Sequence, residues 1–276
     1  MAHYLHGHGP AVARAHAGRT VANSAPHLAA RLRPGLRVLD VGSAGGALTI
    51  DLARRVAPGP VVGVDLADDA VASAQADANR PSNLSFQVGD AAALPFEAAT
   101  FDVVHIHQVL HHLEDPVTAI REAARVTRPG GLVSLREADY GAAFWFPAAT
   151  AWEAWSELFQ LAARGGGTEV NAGRRLLGWL NEAGLADLAE LSGSLWTYPG
   201  LAPAGQIAAS WADRILGQPF ADRVAELGLA DQTALTATAK GLLEWARHPS
   251  ACFAMPHLEA LVQLSGKQKG RADELI

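Results

Sequence analysis

The sequence predicts an α/β protein built on a doubly wound, mostly parallel sheet. Three observations carry that expectation. Between Arg37 and Glu137, short apolar runs of strand length alternate with segments of helical periodicity. The runs are apolar without alternation, as in strands buried on both faces and separated by helices. The first run, VLDV, passes into the glycine-rich turn GSAGG and then into a helical pattern at Leu48, Leu52 and Val56.

Bulk composition agrees. The 276 residues are 49% hydrophobic and 18% charged, which suits a packed globule. The formal charge is −6 and no long basic run is present, so nucleic acid and anionic membrane are not expected as partners. No apolar run approaches the length that crosses a bilayer, and the start has no basic stretch followed by an apolar core. The lone cysteine, Cys252, excludes an intrachain disulfide and a multi-cysteine metal site. A cytoplasmic enzyme, monomer or homodimer, is the expectation.

Element by element, residues 1–34 read as an N-terminal helical cap. Val21, Ala25, Leu28 and Leu32 recur at helical spacing, and Pro26 starts a fresh helix. Strands are predicted at Arg37–Val41, Val61–Asp65, Leu84–Gly89, Phe101–His107 and Leu132–Glu137. Asp115 and Pro116 form an N-cap and first-turn pair for the helix through Val117, Ile120 and Ala124. After Tyr140, Trp152, Trp155, Phe159 and Ala162 share one helical face, and Leu176, Leu177 and Leu180 another. A strand follows near Ala186–Tyr198, helices over 203–248, and a last strand from Ala251 to Met255. The division expected is a cap (1–34), a core (35–200), a helical lid insertion (201–249), and a final strand with a polar tail (250–276).

The glycine loop lets a ligand approach the backbone and the N–H groups of a helix N-terminus. Alone it is weak evidence, because dinucleotide folds share it and a plain strand–helix turn can look the same. Asp65 ends the second strand (VVGVD), where a carboxylate can accept both hydroxyls of a ribose. Asp90 follows the third (FQVGDAAALPF), within reach of an adenine amino group. A nicotinamide dehydrogenase fits less well. Its fingerprint calls for glycine where Ala44 and Ala47 stand, and it gives no reason for the later motifs.

Taken in order, VLDVGSAGG, VVGVD, VGDAAALPF, FDVVHIHQVLHHLEDP and the RPGG turn resemble the class I S-adenosylmethionine-dependent methyltransferases. The likeness is to the ubiquinone/menaquinone-biosynthesis-like, small-molecule branch, over Arg37–Glu137. The resemblance implies a Rossmann-like seven-stranded sheet ordered 3-2-1-4-5-7-6, its seventh strand antiparallel. It also implies S-adenosylmethionine as cofactor and S-adenosylhomocysteine as product. Gly42, Ser43, Ala44 and Gly46 would cradle methionine and ribose, Asp65 and Leu66 the nucleoside, and Asp90 and Ala91 the adenine. His107 and Gln108 would flank the methionine tail. Ala44 departs from the family's glycine.

Methyl transfer from a sulfonium needs alignment and exclusion of water, and a general base only for a protonated acceptor atom. His105, His107, His111 and His112 cluster in sequence, but no carboxylate obviously completes a metal site. His105 and His111 read as packed or capping residues. Within the resemblance, His112 is a base or a latch partner of Tyr4; otherwise it is a structural histidine on a short helix. His6, His8 and His257 read as terminal histidines, or as groups reaching the acceptor. Glu137, Asp139 and Tyr140 follow the fifth strand, at the sheet end where such folds place ligands. Most aromatic residues after Tyr140 read as helix packing. Phe144, Trp145 and Phe146 break that period and are expected, with Glu137 and Tyr140, to contact a small apolar or aromatic acceptor. The competing readings are a cyclase, isomerase or binding module that keeps the cofactor without transfer, and an enzyme that modifies a macromolecule.

Overall fold

The computed structural model describes residues 16–164 and 167–266. Two short helices precede the sheet among the described residues, α1 (Val21–Ser24) and α2 (Pro26–Ala29). A capping box between Thr20 and Asn23 starts α1, and Pro26 opens α2 at the position where its missing N–H costs nothing. The alternating part follows: β1 (Val38–Val41), α3 (Ala47–Val56), β2 (Val61–Asp65), α4 (Asp68–Gln75), β3 (Leu84–Val88), β4 (Phe101–His107), α5 (Pro116–Val126) and β5 (Thr127–Ala138). Asp115 caps α5 by accepting the Thr118 N–H at 3.0 Å. β5 begins before the expected Leu132, because Thr127 already pairs with Phe101 and the RPGG turn, with Gly130 at φ +77°, sits as an irregularity before the Val103–Leu132 pair.

The rest comprises β6 (Phe144–Phe146), α6 (Thr150–Arg164), α7 (Ala172–Ala183), β7 (Ala189–Pro199), α8 (Leu201–Leu216), α9 (Gln218–Glu226), α10 (Gln232–Trp245) and β8 (Cys252–Gln263). β8 runs well past the expected Met255, and its second half is buried on both faces at Glu259, Ala260, Leu261 and Val262. Among the described residues the sheet has eight strands. Strands β3-β2-β1-β4-β5 pair in parallel, and β8 adds to β5 antiparallel. β7 pairs along the other edge of β8, giving the order 3-2-1-4-5-8-7 that the family resemblance implies. The added strand is β6, which meets β8 at Cys252–Ala254, beyond the end of the β5 ladder.

Three apolar clusters hold these layers. On one face of the sheet Leu39, Val104, Ile106, Val133, Leu135, Ala260 and Val262 pack under α5 and α7. On the other, Val38, Val61, Val103 and Leu132 meet α3 and the α1–α2 segment. The third is aromatic and joins α6, α8, α9 and α10 to β6 and the first half of β8. Trp152 lies at its centre, with ring centroids at 4.4 Å from Phe253, 5.2 Å from Trp155 and 5.3 Å from Trp245. The helical aromatic stripe is packing, as its period predicts.

Candidate cofactor and acceptor site

Between β1 and α3 the chain turns sharply, and residues 42–46 make that turn. Gly42 (φ +75°) and Gly46 (φ +82°) occupy the left-handed region, which side chains rarely adopt. Space excludes side chains too: a Cβ on Gly42 would meet Val109 Cγ2 at 2.2 Å, and one on Gly46 would meet Phe86 Cζ at 2.6 Å. Ala44 also takes positive φ, 46°, and its N–H is held by Asp65 Oδ2 at 2.7 Å. A Cβ on Gly45 would meet nothing within 4 Å, so the loop is open there. Ser43 Oγ is buried without a hydrogen-bond partner. Buried hydroxyls normally have one, so the loop suits a polar ligand group lying on it.

Asp65 Oδ1 accepts the Ala67 N–H at 3.0 Å, and Asp90 Oδ1 accepts the Ala92 N–H at 2.8 Å. Each carboxylate is thereby oriented while keeping lone pairs for ligand hydroxyls or an amino group. Leu66 is 70% exposed beside Asp65 and offers an apolar surface to a base. Asp40, which the sequence reading passed over, is buried at the end of β1. Burial raises its pKa to about 7, although Thr49 Oγ1–H donates to Oδ2 at 2.6 Å and opposes the rise.

After β4 the turn is fastened from below by Glu137. Its Oε1 accepts the N–H groups of Val109 (2.9 Å) and Leu110 (2.8 Å), and Oε2 lies 2.8 Å from His111 Nδ1. Burial raises the Glu137 pKa to about 8 against those backbone bonds. Burial, with Arg19 nearby, lowers His111 to about 3. Both groups are therefore neutral near pH 7, and the carboxylic acid donates to the imidazole. Gln108, the first residue of the turn, has φ +55°, a strained value of the kind that clusters at functional sites. Its side chain accepts from Arg19 Nη2 at 2.5 Å and donates to His257 Nε2 at 3.1 Å. His257 in turn donates from Nδ1 to the Met255 carbonyl at 3.0 Å.

Toward α1 and α2, the sheet face carries a buried polar row in place of apolar residues. His107, Arg136 and Glu259 stand in register across β4, β5 and β8, and the row ends at the exposed Ser192 of β7. Arg136 donates to Glu259 Oε1 (2.9 Å), to His107 Nε2 (2.9 Å) and to Ser194 Oγ (3.1 Å). A guanidinium only donates, so His107 is neutral and carries its proton on Nδ1. Burial lowers His107 well below the usual histidine range, and Arg19 and Arg136 add to it. Burial would raise Glu259, but His27, Ser194 and Arg136 outweigh it and hold the carboxylate at about 2. Neither Arg136 nor Glu259 stood out in the sequence. The sole signal was a charged residue at an inward position of an otherwise apolar strand.

These elements open onto one cleft of about 1810 Å³. Gly42, Ser43, Ala44, Gly46, Asp65, Leu66, Asp90, Ala91, His107 and Gln108 all line it, as do His112 and Tyr140. Three expected acceptor contacts are placed elsewhere. Glu137 is fully buried beneath the turn it holds, outside the lining. Phe144 and Trp145 belong to β6 on the far part of β8; Trp145 stacks on Trp152 and Phe144 points away from the core, 53% exposed. A strand's alternation, which the helical test did not detect, explains why those aromatics broke the period. Asp139 is taken up by Arg174, with Nε–Oδ2 at 2.6 Å. Tyr4 lies outside the described residues. Among the described residues no group of three or more His, Cys, Asp or Glu side chains is placed to hold a metal ion, and no helix is long and apolar enough to cross a membrane.

A glycine loop and two strand-end carboxylates on this sheet order define the class I S-adenosylmethionine-dependent methyltransferases. The methyltransferase-domain family matches residues 39–135. An uncharacterized methyltransferase of Schizosaccharomyces pombe is 31% identical over 267 residues, 92% of this chain and 93% of that protein. The demethylmenaquinone methyltransferase of Lactococcus lactis is 38% identical over 109 residues, which span 38% of this chain and 43% of that enzyme. Among solved structures, a methyltransferase-named chain of Bacillus halodurans has a TM-score of 0.57 at 20% identity, covering 87% of this chain and 96% of that one. A phosphoethanolamine N-methyltransferase of Haemonchus contortus, solved with S-adenosylhomocysteine, has a TM-score of 0.52 at 20% identity, over 85% of this chain and 50% of that one. The chain belongs to the class I S-adenosylmethionine-dependent methyltransferases, and its likeness to the menaquinone-biosynthesis enzymes covers 38% of the chain.

Proposed function

We propose that this methyltransferase acts on a small organic acceptor with an apolar or aromatic body, methylating an oxygen, nitrogen or carbon atom. One observation carries the reading: the cleft that begins at the glycine loop continues, without a break, between Leu195, Tyr198, Ile207, Trp211, Phe253 and Met255. Those side chains come from β7, α8 and β8, so the insertion between the last two strands walls the acceptor end. In this reading α8 belongs to a lid that shields the reaction from water, and an acceptor end walled by β7, α8 and β8 favours a metabolite over a macromolecule.

The cofactor, when bound, supplies a methyl group already activated on a sulfonium. The chain's own residues do the rest. Gly42–Gly46 and Ser43 Oγ would hold the methionine part, Asp65 the ribose, and Asp90 with Ala91 the base. Gln108, fixed at both ends of its amide, sets the boundary between the two halves. His107 and His257 have their acceptor nitrogens occupied by Arg136 and Gln108, so neither is available to take a proton. His112, in the lining, is the histidine we assign as base or latch.

Calorimetric titration with S-adenosylhomocysteine, followed by incubation of methyl-labelled S-adenosylmethionine with a panel of aromatic and apolar metabolites, tests the proposal. Saturable binding and label in a small product support it. Binding with conversion but no label would replace it with a cyclase or isomerase.

A further inference from the structure

Charge divides the cleft. The end bounded by β1, β2 and β3 carries Asp65, Asp69, Asp77 and Asp90, whereas Arg19, Arg136 and Arg214 reach the other end, with Asp213 beside Arg214. Resting on the functional reading above, we propose that the acceptor end is built to receive a carboxylate on an otherwise apolar molecule.

The polar groups there are arranged as donors. Arg136 has five N–H groups and spends three on Glu259, His107 and Ser194, which leaves donors at a fully buried guanidinium that still lines the cleft. His107 Nδ1 and Arg214 Nε are buried and have no hydrogen-bond partner. Beside Arg136 three acceptors are already engaged: Ser194 Oγ–H donates to Glu259, and the acceptor nitrogens of His107 and His257 are taken. A ligand group that only accepts, in a planar two-oxygen geometry, matches such a set, and a guanidinium recognises it in a bidentate manner.

The two deeper arginines share one aromatic surface. Arg136 Cζ lies 5.0 Å and Arg19 Cζ 6.0 Å from the Trp196 ring centroid. Burial lowers Arg136 to about 10, and Arg19 is among the groups that add to the fall. Glu259 is locked beneath in the register row, so it neutralises Arg136 without leaving the sheet to compete for the ligand. Around the donors stand the apolar side chains of Tyr198, Ile207, Trp211 and Phe253. The class of acceptor that fits is an aromatic or aliphatic acid whose carboxylate anchors it while another atom faces the methyl donor.

The test is a pair of probes of nearly equal shape, 2-naphthoate and 2-naphthamide, titrated calorimetrically into the full chain with and without saturating S-adenosylhomocysteine. The expected result is a preference of at least about tenfold for naphthoate in both conditions, because a hydrogen bond to a charged group is worth that much. Arg214→Gln and Arg19→Gln should each reduce the ratio several-fold; Arg214, which is half-exposed, gives a variant whose folding is not at issue. Equal affinities, or uptake of neither probe, overturn the proposal. So does a preference that vanishes when S-adenosylhomocysteine is bound, since the arginines would then serve the cofactor's own carboxylate. The cofactor's heat of binding is read separately, so its absence counts against the functional reading and not against the anion site.

Discussion

Ala44 donates its N–H to Asp65 Oδ2 across 2.7 Å, so the carboxylate at the end of β2 also fixes the loop at the end of β1. The bond joins the two parts of the cofactor cradle and holds Ala44 at φ 46°. A non-glycine residue in the left-handed region costs about 1–2 kcal/mol, and glycine returns part of that as unfolded-chain entropy. Ala44→Gly should therefore stabilise the fold by roughly 0.5–1 kcal/mol. Urea denaturation reads the change as a higher midpoint at constant slope; a lower midpoint would show that the strain is not there.

Asp65→Ala removes an acceptor for ligand hydroxyls and also frees the loop. S-adenosylhomocysteine should bind more weakly by about 1.5–3 kcal/mol, the range for hydrogen bonds to a charged group. Unchanged affinity by calorimetry would remove Asp65 from the ribose assignment.

Glu137 makes stability depend on pH. Its folded pKa, about 8, lies above the ordinary value of 4.5, so the folded state holds the proton more tightly. The contribution is complete below pH 4.5 and declines as pH rises toward 8, where the carboxyl ionises while buried. Glu137→Gln keeps an oxygen for Val109 and Leu110 and an N–H for His111, but cannot ionise. The variant should match the parent near pH 5 and be the more stable protein at pH 9. Parallel melting curves for the two proteins across that range would contradict the neutral-acid reading.

The buried histidines act in the opposite sense. Burial lowers His105 and His111 to about 3, so the unfolded chain takes up protons that the folded one refuses between pH 6.5 and 3. Stability should fall steeply on acidification through that window, and replacing His105 with Gln should shallow the fall. An identical acid midpoint for the variant would mean that His105 already protonates in the fold.

Trp152 is fully buried among four aromatic neighbours. Trp152→Ala should cost about 3–5 kcal/mol, the range for emptying a large aromatic from a core. Its indole Nε1 has no hydrogen-bond partner, so Trp152→Phe should cost much less. Comparable losses for both variants would point to a polar role for the indole.

Much of the molecule was legible in residue order because the signals were local. A strand buried on both faces is an apolar run, a left-handed turn asks for glycine, and a helix start shows as Asp115 before Pro116. The ten residues expected to hold the cofactor fall at the tips of β1, β2, β3 and β4, and parallel pairing brings such tips together on one edge of the sheet. What stayed hidden depends on which strands become neighbours. Arg136 and Glu259 are 123 residues apart, and nothing within β5 or β8 announces that they will stand opposite each other. Phe144 and Trp145 were assigned to the cleft for lack of a helical period, but the short strand they form lies against the distant end of β8. Glu137 had the right position for a ligand contact and the wrong direction.

Local chemistry thus determined the strands, the glycine turn, the carboxylates at the strand tips and the family to which they belong. Tertiary pairing alone decided the charge of the acceptor end, because an arginine, a histidine and a glutamate from three strands become one buried row only when β8 inserts beside β5. The physical reason is range: backbone preference is settled within a few residues, whereas the electrostatic character of a cleft is the sum over every chain segment that reaches it.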